Sequence, residues 1–142
     1  MRAITIRQPY ASFIADGLKR YETRDWPVNF RGNIAIHASE KWNQHRAASL
    51  NQLTLDFPEL EKYSYTKPPL GVVVAACRVV ACHRVEDIRD QLSALELAVG
   101  DYSDGRFAWQ LELVKLPDEP IPATGKQGIW EWTPTREDLS GV

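Results

Sequence analysis

Gly17-Leu18-Lys19-Arg20-Tyr21-Glu22-Thr23-Arg24, preceded by Arg7-Gln8-Pro9-Tyr10-Ala11-Ser12 and followed by Trp26-Pro27, is the stretch from which the architecture is read. Tyr10, Phe13 and Ile14 recur at helical spacing. Pro9 suits the first helical position and Gly17 the left-handed residue after a last turn, so a short helix is expected between them. Lys19 to Arg24 then enters a strand. Alternation places Glu22 and Arg24 on one face and Thr23 on the other, and Lys19 joins the first two only if it still lies in the turn after Gly17.

Working outward, Ala3 to Ile6 is a short β-type run, Arg31-Gly32 makes a turn, and Asn33 to Ala38 alternates as a third strand. Trp42, Leu50, Leu53 and Phe57 predict a helix over 42–55, which Pro58 and Pro68-Pro69 separate from one long strand, Gly71 to Val85. Val85, Ile88, Leu92, Leu95 and Val99 step by three and four, predicting a single amphipathic helix. A turn-rich loop from Gly100 to Gly105 offers Tyr102 as a lid residue. Phe107, Trp109, Leu111 and Leu113 alternate as a half-buried strand, and Ile129 to Trp132 forms the last. About six strands with two or three inserted helices, and no regular β-α-β rhythm, define an α+β protein on a small curved sheet or barrel, one domain over residues 1–142. No Gly-x-Gly-x-x-Gly and no P-loop occur.

The 142 residues are 44% hydrophobic and 25% charged, with a net charge of −2, which excludes a generally basic polyanion binder. The charge is uneven: residues 1–46 hold eight Lys/Arg against four Asp/Glu. That permits a local basic patch suited to phosphate or single-stranded nucleic acid rather than a broad duplex-binding face, although scattered surface charge gives the same count. The longest apolar run, Leu70 to Cys77, is too short for a membrane span, so a soluble cytoplasmic chain with no membrane association is expected. Cys77 and Cys82, five residues apart in the long strand, are expected on opposite faces as reduced thiols. Neither a metal site nor a cofactor is expected, because His83 beside Cys82 lacks a second closely spaced ligand pair.

Gly-x-Lys-x-x-Glu-x-Arg after a Gln-Pro-aromatic-Ala-Ser helix resembles the signature of the activating signal cointegrator homology (ASCH) domain, a branch of the PUA-like barrels. Arg31-Gly32, Gly71 and Gly125-Lys126-Gln127-Gly128-Ile129-Trp130 are similar to the family's later landmarks. The resemblance implies a compact PUA-like β-barrel flanked by helices, with the motif lining a cleft that binds RNA or other nucleic acid. It draws Gln8 into the site with Tyr10. One branch of the family hydrolyses acetylated cytidine with a Lys and a Thr three residues apart; Lys19 matches the Lys, but Glu22 stands where the Thr would be.

Lys19 and Arg24 supply positive charge for a phosphate, and Glu22 orients them or accepts from a base amino group. Tyr10 and Trp26 offer stacking faces beside them, Arg31 adds to the positive field, and Lys126 sits in a turn whose N–H groups can converge on an anion. The same Lys-x-x-Glu-x-Arg spacing also describes an ion-pair cluster that merely holds the helix–strand junction. Trp109, Trp130 and Trp132 are expected in the core, and His37 as a satisfied structural histidine. The leading reading is a monomeric module binding RNA or single-stranded nucleic acid, or a nucleotide-sized ligand. The alternatives are a metal-independent hydrolase of RNA or a modified nucleoside (ribonuclease or amidohydrolase) using Lys19 and Glu22, and a protein-interaction domain. A carboxylate at Glu22 is expected to pair with Lys19 and raise its pKa, which argues against efficient deacetylation of acetylated cytidine.

Overall fold

The computed structural model describes residues 1–65, 67–134, 139 and 142. Strand β1 (Arg2–Ile6) leads into helix α1 (Tyr10–Ala15), then β2 (Tyr21–Arg24) and β3 (Gly32–Ala38). Helix α2 (Gln44–Asp56) and a 3-10 turn (Pro58–Ser64) precede the long strand β4 (Val72–Arg84). Helices α3 (Val85–Ile88) and α4 (Ala94–Ala98) follow, then β5 (Phe107–Lys115), β6 (Ile121–Pro122) and β7 (Ile129–Glu131). The strands form one mixed sheet in the order β2-β5-β4-β3-β1-β7, with β6 also paired to β4. It curls into a half-barrel, the α+β architecture expected from the sequence.

The curl has a local cause. β4 slips register against β5 between Ala76 and Cys77 and again between Val79 and Ala81, and β3 slips against β4 between Ile36 and His37. Such bulges bend a strand and steepen its twist. The slip after Val79 also changes side-chain parity, so the expectation for the cysteines is corrected: Cys82 packs against the same apolar cluster that contains Cys77. Both thiols are free.

Ile34, Ile36, Val79 and the wholly buried Trp109 fill the concave side with Ile4, Ile6 and Ile14. Ala3, Ala35, Val73, Ala76, Trp130 and Trp132 pack on the other side, so β1, β3 and β4 bury both faces. The three tryptophans sit in the core as the alternation predicts.

The single helix predicted from Val85 to Val99 is instead three short pieces. Leu92 is extended (ψ 154°), and Ser93 starts a new helix by accepting a hydrogen bond from the Glu96 N–H. A cap that satisfies an orphan N–H outcompetes continuation of the apolar stripe. Likewise α2 begins after Asn43, whose side chain accepts from Arg46 N at 3.0 Å, leaving Trp42 outside it. Pro9 occupies the capping position ahead of α1 rather than its first turn.

Trp109 is wholly buried in the core and donates its indole N–H to the Trp26 carbonyl at 3.2 Å. Trp109→Ala is therefore expected to lose about 3–5 kcal/mol of stability, measured by urea unfolding. A loss below about 1 kcal/mol would show that the half-barrel does not pack around this ring.

Candidate functional site

Helix α1 closes against its own backbone: Gly17 N–H donates to Ile14, and Leu18 and Lys19 N–H both donate to the Phe13 carbonyl, at 2.9 to 3.1 Å. Gly17 supplies the positive φ of 79° that this closure needs. Lys19 thus remains in the turn, two residues before β2, and the condition for it to join Glu22 and Arg24 is met. All three line one cleft of about 650 Å³.

The cleft lies along the seam where the sheet approaches closure. β2 ends the sheet path on one side and β1 lies near the other end, yet Arg24 Nη2 donates to the Thr5 carbonyl at 3.0 Å. Arg24 Nε and Nη2 also pair with Glu22 Oε2 at 2.9 Å, so the guanidinium bridges two strands that share no ladder. Around this bridge stand Arg7, Arg46, Arg106 and Tyr10, with Asp101 the other acid. Five cations face two carboxylates. Arg106 is committed to Thr23 O at 3.0 Å and to Asp101 at 3.5 Å. Burial and the like charge of Arg7 hold the Arg46 guanidinium below its ordinary pKa.

Lys19 is 3% exposed, and among the described residues no carboxylate lies within 4.0 Å of its ammonium. The expected Lys19–Glu22 pair and upward pKa are therefore corrected. Burial lowers the Lys19 pKa and outweighs the opposing pull of Glu22 and Glu96, with Arg24 adding to the decrease. Glu22 spends its carboxylate on Arg24 instead.

Glu96 went unnoticed in the sequence because it reads as a solvent-facing residue of a long helix. The break at Ser93 turns it inward: it is buried, and its Oε1 accepts from Arg20 N at 2.8 Å. The Ser-x-x-Glu capping pattern at Ser93 to Glu96 was the available signal. Glu96 Oε2 and the Tyr102 hydroxyl are buried with no hydrogen-bond partner among the described residues. Burial raises both pKa values, and for Tyr102 the nearby Glu96 adds to the rise. Tyr102 is thus buried beside this cluster rather than a lid. Gly100 makes room for it, since a Cβ there would lie 2.7 Å from the Tyr102 ring and 3.4 Å from Lys19 Nζ.

Of the other residues singled out from sequence, Tyr10 lines the cleft, its ring centre 6.0 Å from Lys19 Nζ. Gln8, Trp26 and Arg31 do not line it. The Gln8 amide is wholly buried and spent on Ser12 and the Pro69 carbonyl, holding the start of α1. Trp26 packs edge-on against Trp109 with ring centres 4.8 Å apart, and Arg31 folds back on the Val28 and Phe30 carbonyls. Lys126 lies in an adjoining cavity of about 630 Å³ that shares Thr5, Arg7 and Arg24 with the first. His37 borders that cavity as the satisfied histidine expected: Nε2 donates to Ala123 O at 2.8 Å, and Nδ1 lies 3.1 Å from the Thr5 hydroxyl.

With this geometry in place, comparison with known proteins assigns the class. The sequence model of the ASCH domain family matches residues 4–120, and the chain belongs to that family. It is 24% identical over 132 residues to activating signal cointegrator 1 of Homo sapiens and, equally, to that of Mus musculus. Each match covers 90% of this chain but only 22% of the relative.

A buried, net-destabilised ammonium makes a prediction of its own. The unfolded chain takes up the Lys19 proton at a higher pH than the folded chain, so the handicap is fully present below the lowered folded pKa and fades as pH rises toward 10.5. Lys19→Met should therefore raise Tm at pH 7, and the difference from wild type should narrow as pH approaches 10.5. A lower Tm for the variant at pH 7 would mean that Lys19 stabilises the junction.

Proposed function

We propose that the seam cleft binds an unpaired nucleotide of RNA or other single-stranded nucleic acid. The Lys19 ammonium carries this reading: it is buried, has no carboxylate in pairing distance among the described residues, and faces a cavity already rich in cations. A buried charge without a counter-ion is costly unless a ligand completes it, and a phosphate brings the charge that is missing. The ion-pair-cluster reading loses ground here, because Glu22 pairs with Arg24 and leaves Lys19 out. Tyr10 supplies a stacking face at the rim and Glu22 an acceptor for a base amino group. With a net charge of −2, the cations gathered here are a local excess on an acidic chain, which favours a short single strand over a duplex.

One observation supports a second reading, hydrolysis of RNA or a modified nucleoside. Burial moves the Lys19 pKa downward, toward the range where a neutral amine can take a proton. That removes the objection that Glu22 would make Lys19 a poor base. Under this reading, product from RNA or acetylated cytidine accumulates faster as pH rises through the folded pKa of Lys19, and Lys19→Met abolishes it. Chromatography that finds no product at any pH rejects it.

For the binding reading, Arg46→Ala is expected to weaken single-stranded RNA by about tenfold and to flatten the salt dependence by about 0.7 in log–log slope, by fluorescence anisotropy. Lys19→Met should reduce binding further. Affinities unchanged by both substitutions would overturn the proposal.

A further inference from the structure

Two cavities of similar size, about 650 and 630 Å³, meet along Thr5, Arg7 and Arg24. Each lies within the roughly 300–1,000 Å³ of an ordinary ligand pocket, so the first alone has room for a nucleotide and the second has room for another group beside it. The second cavity repeats the charge of the first with different residues: Lys41 and Lys126 join the shared Arg7 and Arg24, against the single carboxylate of Glu40. Lys41, Lys126 and Arg7 are all exposed, and among the described residues no acid lies within 4.0 Å of any of them.

The shared wall is built firmly. The Thr5 hydroxyl accepts from Trp130 Nε1 at 3.1 Å and meets His37 Nδ1, while its carbonyl accepts from Arg24. The loop carrying Lys126 is pressed onto this wall so closely that a Cβ at Gly125 would lie 2.6 Å from Thr5 Oγ1 and 2.7 Å from His37 Cε1. Lys126 is thereby held beside the same wall on which Arg24 closes the first cavity.

Resting on the nucleotide reading of the first cavity, we infer that the two cavities form one track for consecutive residues of a single RNA strand, with the second cavity holding the phosphate or nucleotide next to the one in the seam. A lone nucleotide would leave Lys41 and Lys126 unused; a linked strand satisfies both ends and gains the effective concentration of the tether.

The test uses fluorescein-labelled random-sequence RNA of two, four and eight nucleotides, with a mixture of nucleoside monophosphates as competitor, on the full chain and on the double variant Lys41→Ala/Lys126→Ala. Both lysines are exposed, and wild-type Tm in the variant confirms that the fold is intact. Oligonucleotides should bind wild type at least about tenfold more tightly than the monophosphates. The double variant should lose about tenfold or more for the oligonucleotides while its competition by monophosphates stays the same. Its log–log salt slope should fall by about 1.4, two contacts at 0.7 each. Oligonucleotides that bind no more tightly than the monophosphates, or a double variant that binds oligonucleotides like wild type, overturn the track and leave the seam site standing. Failure of both monophosphates and oligonucleotides to bind overturns the track together with the function it rests on.

Discussion

The thirteen residues of β4 pair along part of their length with β3 and along part with β5 while the sheet bends toward itself, and a regular ladder of that length would spread its twist evenly instead of bending at defined points. The register slips at Ala76 and Val79 release that constraint. They let β5 carry β2 around the concave core until Arg24 reaches Thr5, although the two strands sit on separate arms of the sheet. No backbone ladder joins them, so the gap is spanned by side chains. A cleft with polar walls is therefore a by-product of incomplete closure, and the residues that line it come from whichever strand ends and loops meet there.

Closure by an arginine also explains the electrostatics. The guanidinium must keep Glu22 and the Thr5 carbonyl to hold the seam, which removes Glu22 as a counter-ion for Lys19. The turn after Gly17 then leaves Lys19 buried beside Tyr10, with Glu96 acting on its charge from beyond pairing distance and one of its oxygens taken by the Arg20 N–H. The burial that lowers the Lys19 pKa therefore costs the fold stability at this junction while the ammonium is charged.

Much of this was legible in the sequence because it depends on nearest neighbours. The parity of Glu22 and Arg24, the turn at Gly17, the alternating β3 and the buried tryptophans all follow from periodicity and one glycine. What the sequence does not show depends on distant events. Cys82 changed sides because of a bulge two residues earlier, whose cause is the path of β5. Trp26 reads as a stacking face from its neighbours alone, but its partner is Trp109, 83 positions along the chain. Arg46, Arg106 and Glu96 look like ordinary surface charges until α2, β5 and α4 are docked around the seam. The partner of Glu22 is hidden for the same reason: spacing brings three charged groups together but does not say which two bond.

The donor inventory of Arg24 has one further consequence. A guanidinium carries five N–H groups, and here Nε and Nη2 are engaged by Glu22 and Thr5, while among the described residues Nη1 has no partner. Both cavities border this side chain, so the hydrogens left over must be divided between them. Two unconnected anions arriving from opposite sides would compete for that remainder and each would weaken the other, a negative coupling between sites that never touch. A single molecule spanning the wall makes no such demand, because one bridging oxygen-rich group can take both hydrogens at once. On the proposed binding, the side chain that closes the fold would thus also penalise double occupancy by separate small ligands.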